Sequence, residues 1–456
     1  MRPLLTLAAT LALTGCTLET IHHPPPSRDA STMDATTDAA MGDGGIGDAG
    51  ELDASTDAGD IDANRPDACA TAELCNGVDD DCDEAVDEGI SAELGGRVPV
   101  TSGGAVYENS HMAPLAGGYA VVWQGVDRRI QYQRVRSDGS PIDATPIAVD
   151  GSGTDDQTQP RVAVVGDRAV VLWKELTALR ARSFSLTGGA PSATVEVAPA
   201  ADGRFVIVPF GRFAVAAWLD GLDTVVCQID PPSATPVISP AIAYTRVGLV
   251  RGPTRPALVY VDAPDPYGLL FVNDVRAGDA GERIYVTRVV PGFAPDGALT
   301  PLSDVLVGPL FDAAIDPTLG IDDAGIAAVA ISRDDTPGGD RRALLYWVTP
   351  HTFGTAPEVS APTELSPDRI KLDVSVAVTG HVALAGWVEV TAGGADVVAV
   401  SAARGDAPSS LAHQPVLAFA GVTVAGSVGS GALLFGDGPT PTDPRDVYLQ
   451  RFGCTP

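Results

Sequence analysis

Two strand-like segments, Tyr119-Ala-Val-Val-Trp123 and Ile130-Gln-Tyr-Gln-Arg-Val135, form a pair that recurs through most of the chain. The first segment is continuously apolar and ends in an aromatic residue, which is typical of a strand covered on both faces. The second segment mixes apolar and polar positions, which is typical of a more exposed strand. A short polar turn separates them, so each pair predicts two neighbouring antiparallel strands.

The pair occurs in seven units, and the spacing of its aromatic residues decides the fold. The other six pairs are 169–173 with 179–184, 214–218 with 224–229, 257–261 with 283–288, 325–331 with 343–347, 382–387 with 396–400, and 431–435 with 446–451. The strand-end aromatics lie 50 residues apart from Trp123 to Trp173, 45 from Trp173 to Trp218, and 48 from Trp387 to Phe435. A period of roughly 40–50 residues with several strands predicts a β-propeller. The alternative is a tandem array of β-sandwiches, whose domains of about 100 residues would give a longer period.

The predicted fold class is therefore all-β, with a seven-bladed β-propeller over residues 93–456. The last unit ends after its third strand, whereas Arg97-Val-Pro-Val100 precedes the first unit as an isolated strand. We expect residues 97–100 to supply the fourth strand of the last blade and so to close the ring. The repeat resembles the degenerate bacterial propeller repeats of the form GG-Y-x-V-V-W … I-Y-A-Q-R-V … D-G, and this resemblance covers about 360 residues.

The N-terminus is typical of a targeting signal. Arg2 is followed by an apolar run from Leu4 to Thr14, which is too short to span a bilayer of roughly 30 Å as a helix but suits a signal peptide. The run ends in Leu13-Thr14-Gly15-Cys16, which resembles the lipobox of bacterial lipoproteins. The resemblance implies cleavage after residues 1–15, acylation of Cys16 and anchoring in the outer membrane or at the cell surface. The alternative is an ordinary secretory signal followed by a chance cysteine.

Residues 16–68 are rich in Asp, Ala, Gly and Thr and contain little to bury. The chain has a formal net charge of −30, and residues 17–92 alone hold 20 acidic and 2 basic residues. Low hydrophobicity with high like charge favours disorder, so we expect a stalk, with an acidic ligand for cations or basic partners as the alternative. The acidic balance also argues against a nucleic-acid partner, because phosphate binding requires basic surfaces.

Residues 69–92 form a short motif rich in cysteine and aspartate. Carboxylates follow one another at the spacing with which calcium loops of the EF-hand type present their oxygens, with a backbone carbonyl between them. The stretch resembles the MopE-type metal-binding motif of myxobacterial surface proteins, C-[DN]-G-x-D-[DN]-D-C-D-G-x-x-D-E. The expected Ca²⁺ ligands are Asp79, Asp81, Asp83, Ala85 (through its carbonyl), Asp87 and Glu88.

Two positions depart from this motif. Glu84 stands where the family has a glycine, at a turn that favours positive φ, and Ile90 stands where a bidentate glutamate would be expected. Glu88 is the candidate replacement for that glutamate. The alternative is a disulfide-stapled acidic loop without a bound ion; zinc fits less well, because in an oxidising compartment the cysteines pair with each other.

The cysteines support an oxidising compartment. Cys227 lies in an apolar strand pattern and is expected to be a buried free thiol. With Cys16 assigned to lipid, four cysteines remain, and they allow three pairings. We favour Cys75–Cys82 within the motif and Cys69–Cys454 between the motif and the last strand.

No motif for catalysis stands out in the sequence. The six histidines are dispersed, and no H-E-x-x-H, G-x-S-x-G or Walker pattern is present. The leading interpretation is a monomeric, lipid-anchored envelope protein whose propeller binds a protein or glycan without catalysis. The alternatives are an extracytoplasmic hydrolase or lyase acting on carbohydrate with carboxylates in the channel, and a purely structural part of an envelope layer.

Overall fold

A computed structural model of the protein describes residues 91–455, with gaps. The gaps are 103–105, 151–155, 222, 232–234, 240, 245–248, 252–255, 262–266, 277–282, 290–304, 307–312, 323, 335–340, 350–357, 367–369, 392–393, 406, 410, 417–418, 428–429 and 439–444. By its internal contacts the chain divides into residues 1–66 and 67–456, and every described residue belongs to the second unit. The described residues form strands and turns without a helix, so none of them forms a helix long and apolar enough to cross a membrane.

The strands are numbered in chain order. They are β1 (Ser91–Pro99), β2 (Val106–Leu115), β3 (Gly118–Gly125), β4 (Ile130–Arg136), β5 (Ile147–Ala148), β6 (Gln157–Val165), β7 (Arg168–Glu175), β8 (Ala178–Ser185), β9 (Val195–Ala198), β10 (Asp202–Phe210), β11 (Phe213–Asp220), β12 (Asp223–Asp230), β13 (Val237–Ile238), β14 (Ile242–Tyr244), β15 (Leu249–Arg251), β16 (Pro256–Val261), β17 (Tyr267–Arg276), β18 (Arg283–Val289), β19 (Val305–Leu306), β20 (Ala313–Ile321), β21 (Ala327–Asp334), β22 (Arg341–Thr349), β23 (Glu358–Val359), β24 (Thr363–Ser366), β25 (Ile370–Thr379), β26 (Val382–Thr391), β27 (Gly394–Ala403), β28 (Ala412–Val416), β29 (Phe419–Ser427), β30 (Ser430–Asp437) and β31 (Asp446–Thr455).

Antiparallel pairing groups these strands into sheets of four or five. The first sheet is β2–β5, the second β6–β9, the third β10–β14, the fourth β15–β19, the fifth β20–β24 and the sixth β25–β28, and the closing sheet has the order β1-β31-β30-β29. The innermost strands of consecutive sheets contact one another, and β29 of the closing sheet contacts β2 of the first. This is a β-propeller arrangement, so the predicted fold class is confirmed at that level.

The expectation of seven equivalent blades is corrected to six regular blades. Six sheets follow one simple order from the innermost strand outward, but the fourth sheet does not. Its inner edge is made of two pieces, β15 and β16, both of which pair with β17. The sequence pattern misplaced the segment 257–261, because it lies in the innermost strand β16 and not in the second strand of its sheet. The real second strand, β17, ends without a tryptophan and was hidden inside an apparent insertion.

The second strands are buried because neighbouring sheets cover both of their faces. Every residue of β3 is buried, and in β7 and β11 the apolar residues alternately face the preceding and the following sheet. For example, Val171 and Trp173 pack with the first sheet, whereas Val170 and Leu172 pack with the third. A continuous apolar run is therefore the sequence signature of this position, as expected.

The ring is closed by the N-terminal strand, as predicted. β1 pairs antiparallel with β31, with Arg97, Val98 and Pro99 opposite Gln450, Leu449 and Tyr448. The Arg97 guanidinium forms an ion pair with Asp437 at 2.8 Å and lies 4.7 Å from the centre of the Tyr448 ring. The first and last described strands of the chain thus share one sheet.

Candidate binding face

Two turns from neighbouring sheets meet at one edge of the propeller. The first turn, residues 126–129, joins β3 to β4, and the second, residues 176–177, joins β7 to β8. The segment that enters β6 contacts both, because the Gln157 amide donates to the Arg128 carbonyl at 3.0 Å and the Leu176 amide donates to the Asp156 carbonyl at 3.5 Å. We call residues 126–129, 156–157 and 176–177 the turn face.

The turn face exposes aliphatic side chains beside an ion pair. Val126 is 56% exposed and Leu176 is 65% exposed, the largest value among the large apolar residues that the structure describes as exposed. Between the two turns, Arg128 Nη1 lies 2.6 Å from Asp156 Oδ2, and both side chains are about half exposed. The surface therefore combines apolar contact area with charges that are already neutralised by each other.

Gln157 fixes this face to the propeller. Its side chain is fully buried, and its Oε1 accepts from the Ile130 amide at 2.9 Å. Its backbone carbonyl accepts from Gln124 Nε2 at 2.5 Å. Because these bonds lie in the buried interface between the first and second sheets, the face has a rigid base and not a free loop beneath it.

The backbone of the turn face is strained. Arg128 and Leu176 of the turn face have φ values of 60° and 53°; with Gln159 in strand β6 (φ 53°), they are the non-glycine residues with positive φ in the described ranges. The corresponding turn of the third sheet, between β11 and β12, uses Gly221 with φ 59°. A left-handed residue other than glycine costs about 1–2 kcal/mol. Leu176 therefore adopts an unfavourable backbone conformation, whereas the corresponding turn of the third sheet avoids this energetic cost by using glycine.

A second repeated feature borders the centre of the ring. In each of the six regular sheets, the pairing of the innermost strand with the second strand shifts register. In the second and sixth sheets the shift comes opposite the strand-end tryptophan. Gln159 and Pro160 lie opposite Trp173, and Asp373 and Val374 lie opposite Trp387. Such bulges redirect the chain and are common beside functional sites. In the fifth sheet Asp316 holds the position equivalent to Asp373.

One cluster of titratable groups outside this region joins the fifth and sixth sheets. Asp322, whose side chain has no exposed surface, accepts from the Ile326 amide at 2.7 Å and lies 3.4 Å from His381 Nδ1 and 3.6 Å from Arg404 Nη1. No sequence motif identified this cluster, although the pattern Asp322-Asp-Ala-Gly325 is typical of a turn. Across the described ranges, no group of three or more His, Cys, Asp or Glu side chains is arranged to hold a metal ion.

Three arginines in turns and strands lie beside carboxylates of the same propeller. Arg128 pairs with Asp156 in its turn, and Arg342 lies 3.5 Å from Glu364 across β22 and β24. Arg134 in β4 holds Asp143 through several hydrogen bonds. Burial alone would raise the pKa of the Asp143 carboxyl, but these hydrogen bonds outweigh it and hold that pKa below its usual range.

Of the predicted site residues, those of the N-terminal region lie outside the described residues. These are Cys16, Cys69, Cys75, Cys82 and the calcium ligands Asp79, Asp81, Asp83, Ala85, Asp87 and Glu88. Cys454 is in β31 opposite Ala92 of β1, so its backbone lies at the junction between the ring and the acidic motif. Cys227 is a buried free thiol, as predicted, and burial raises its pKa to about 12.

No protein-family model and no curated protein matches the chain. Among solved structures, the chain is similar to a PL25 ulvan lyase at 10% identity and a TM-score of 0.49, covering 76% of this chain and 93% of that one. It is also similar to the polysaccharide lyase Uly1 (10% identity, TM-score 0.48, 84% and 97% covered) and to the endo-arabinase from Bacteroides thetaiotaomicron VPI-5482 (15%, 0.34, 52% and 88%). At these identities and TM-scores, the similarity does not extend to the ligands or activities of those proteins.

Proposed function

We propose that this protein is a cell-envelope lipoprotein, anchored through Cys16, whose β-propeller acts as a non-catalytic binding or scaffold module. The observation that carries this proposal is Leu176, an exposed apolar residue held in a left-handed backbone where the next sheet uses Gly221. Backbone strain persists where function requires it, and an exposed leucine gains nothing from solvent. The turn face is therefore the binding face of the module.

Site-specific photo-crosslinking tests the binding face. A p-benzoylphenylalanine replaces Leu176 in the full chain, and a second variant carries it at Val237, which is 61% exposed on the outer strand of the third sheet. In envelopes of cells that make the protein, we expect a crosslinked species at position 176 and none at 237. Equal crosslinking at both positions, or none at 176, would contradict the proposal.

Anchoring through Cys16 has its own test. Cells are labelled with an alkynyl fatty acid, and we expect the label on the wild-type chain and its loss in Cys16→Ser. A Cys16→Ser chain that still carries the label would place the acyl group elsewhere and remove the basis for the lipoprotein assignment.

We also propose that the acidic motif binds Ca²⁺ and stiffens the chain before β1. A ligand that binds only the folded protein stabilises it by linkage, by about 2.7 kcal/mol at a hundredfold excess over its dissociation constant. Thermal melting of the full chain should therefore shift upward with calcium and return with chelator, and Asp79→Ala with Asp81→Ala should abolish the shift. An unchanged midpoint, or a shift that survives both substitutions, would remove calcium from the proposal.

A carbohydrate hydrolase or lyase is the second candidate, and one observation favours it. Asp316 and Asp373 hold equivalent bulge positions on the neighbouring innermost strands β20 and β25. Glycoside cleavage uses two carboxyl residues. Incubation with a polysaccharide panel tests it through reducing ends and unsaturated products. Turnover by the wild-type chain that is lost in Asp316→Asn and Asp373→Asn would show that the protein is an enzyme and not a non-catalytic binding module.

A further inference from the structure

We propose that the turn face docks on a lipid surface, which deepens the proposed function and rests on it. The apolar contacts are Val126 and Leu176, which lie on turns of consecutive sheets at one edge of the propeller. Both turns are joined to the same residue, Asp156, through the Arg128 side chain and the Leu176 amide. Two apolar turns held side by side at one edge suit a planar apolar layer.

The segment that carries the turn face is close to neutral, which favours a membrane at this face over the acidic remainder of the propeller region taken as a whole. Residues 127–182 hold 9 of the 29 Lys and Arg residues and 8 of the 59 acidic residues, a net charge of +1. The rest of the propeller region, residues 93–126 and 183–456, has 17 basic and 31 acidic residues, a net charge of −14. An anionic lipid surface repels a nearly neutral segment less than it repels an acidic one.

The size of the apolar contact also agrees with a tethered domain. Burying one aliphatic side chain strengthens partitioning by roughly ten- to hundredfold, so two such residues give only weak binding from solution. A domain tethered to the same membrane meets that surface at a local concentration on the order of millimolar. Weak docking then suffices, whereas a free protein partner would require a much larger interface.

Vesicle binding tests the inference. The full chain with Cys16→Ser, which lacks the acylated residue, is mixed with phosphatidylethanolamine–phosphatidylglycerol vesicles (7:3) at millimolar lipid and separated by sedimentation. We expect partitioning that falls roughly tenfold or more in Leu176→Gly and in Val126→Ser. Leu176→Gly suits the left-handed backbone, so loss of fold does not explain the result. Val237→Ser is the matched control, because it removes an equally exposed valine from another sheet.

The outcomes separate this inference from the binding-face proposal. Partitioning that is absent, or that Leu176→Gly and Val126→Ser leave unchanged, or that Val237→Ser reduces equally, overturns lipid docking. If the photo-crosslinker at position 176 then captures a protein or a glycan, the binding face stands and only its lipid occupant is wrong. If neither vesicle binding nor crosslinking occurs, both proposals fail.

Discussion

Leu176 has two energetically unfavourable features: its apolar side chain is exposed to solvent, and its backbone is left-handed. Glycine populates positive φ freely, so Leu176→Gly should relieve strain and leave the free energy of unfolding unchanged or raised by up to about 1 kcal/mol. Thr177→Gly is the control, since Thr177 in the same turn has no positive φ and should lose about 0.5–1 kcal/mol. Denaturant unfolding of both variants measures this, and a Leu176→Gly chain that is the less stable of the two would contradict the strain argument.

Asp143 gives the described propeller a pH-dependent contribution to stability. The hydrogen bonds from Arg134 hold its folded pKa below the unfolded value of about 3.9. A group with a lowered folded pKa stabilises the protein fully above the unfolded pKa, and this contribution is lost as pH falls through the folded pKa. We expect Asp143→Asn to be less stable than the wild type at pH 7 and the difference to shrink below about pH 4. Parallel melts at pH 7 and pH 3 measure it; a difference that is constant with pH would exclude this linkage.

At the scale of the element, β1 decides whether the ring is closed. It supplies the outer strand of the closing sheet, and Val100 continues the contact by donating to the Val447 carbonyl at 2.8 Å. A chain lacking residues 1–90 should keep its melting temperature apart from any calcium effect, whereas removal of 1–100 should lower it by roughly 5 °C or more. Equal melting temperatures for the two truncations would show that β1 is dispensable.

At the scale of the whole molecule, the core is distributed between sheets. Each apolar cluster of the described propeller joins residues from two neighbouring sheets, so opening one sheet exposes the faces of both neighbours. Loss of the ring should therefore be cooperative. Cys227 reports on this, because its side chain is buried and burial raises the pKa of its thiol to about 12.

Thiol reactivity at Cys227 should follow global unfolding. In a chain whose other cysteines are replaced by serine, we expect no reaction with a disulfide reagent at pH 8 until denaturant reaches the unfolding midpoint. Circular dichroism of the same samples gives that midpoint independently. Reaction well before the circular-dichroism transition would mean that the third sheet opens on its own.

The sequence by itself determined the class of the fold and its closure. Continuous apolar runs such as Ala169–Trp173 identified the doubly covered second strands, because a strand between two sheets needs apolar residues on both faces. The incomplete last unit and the isolated strand before Tyr119 likewise predicted the pairing of β1 with β31. Both signals are local in sequence or follow from simple counting.

Only the tertiary structure decided which residues form the turn face and how the fourth sheet is built. The positive φ of Leu176 cannot be predicted from the sequence, because the turn has no glycine or asparagine at this position to indicate it. The hydrogen bond of Leu176 to Asp156 depends on how two sheets pack. The placement of 257–261 in the inner strand β16 likewise depended on pairing with β17, which ends without an aromatic residue. Periodicity records how a residue is buried, whereas pairing partners and turn geometry arise from contacts between segments that are distant in the chain.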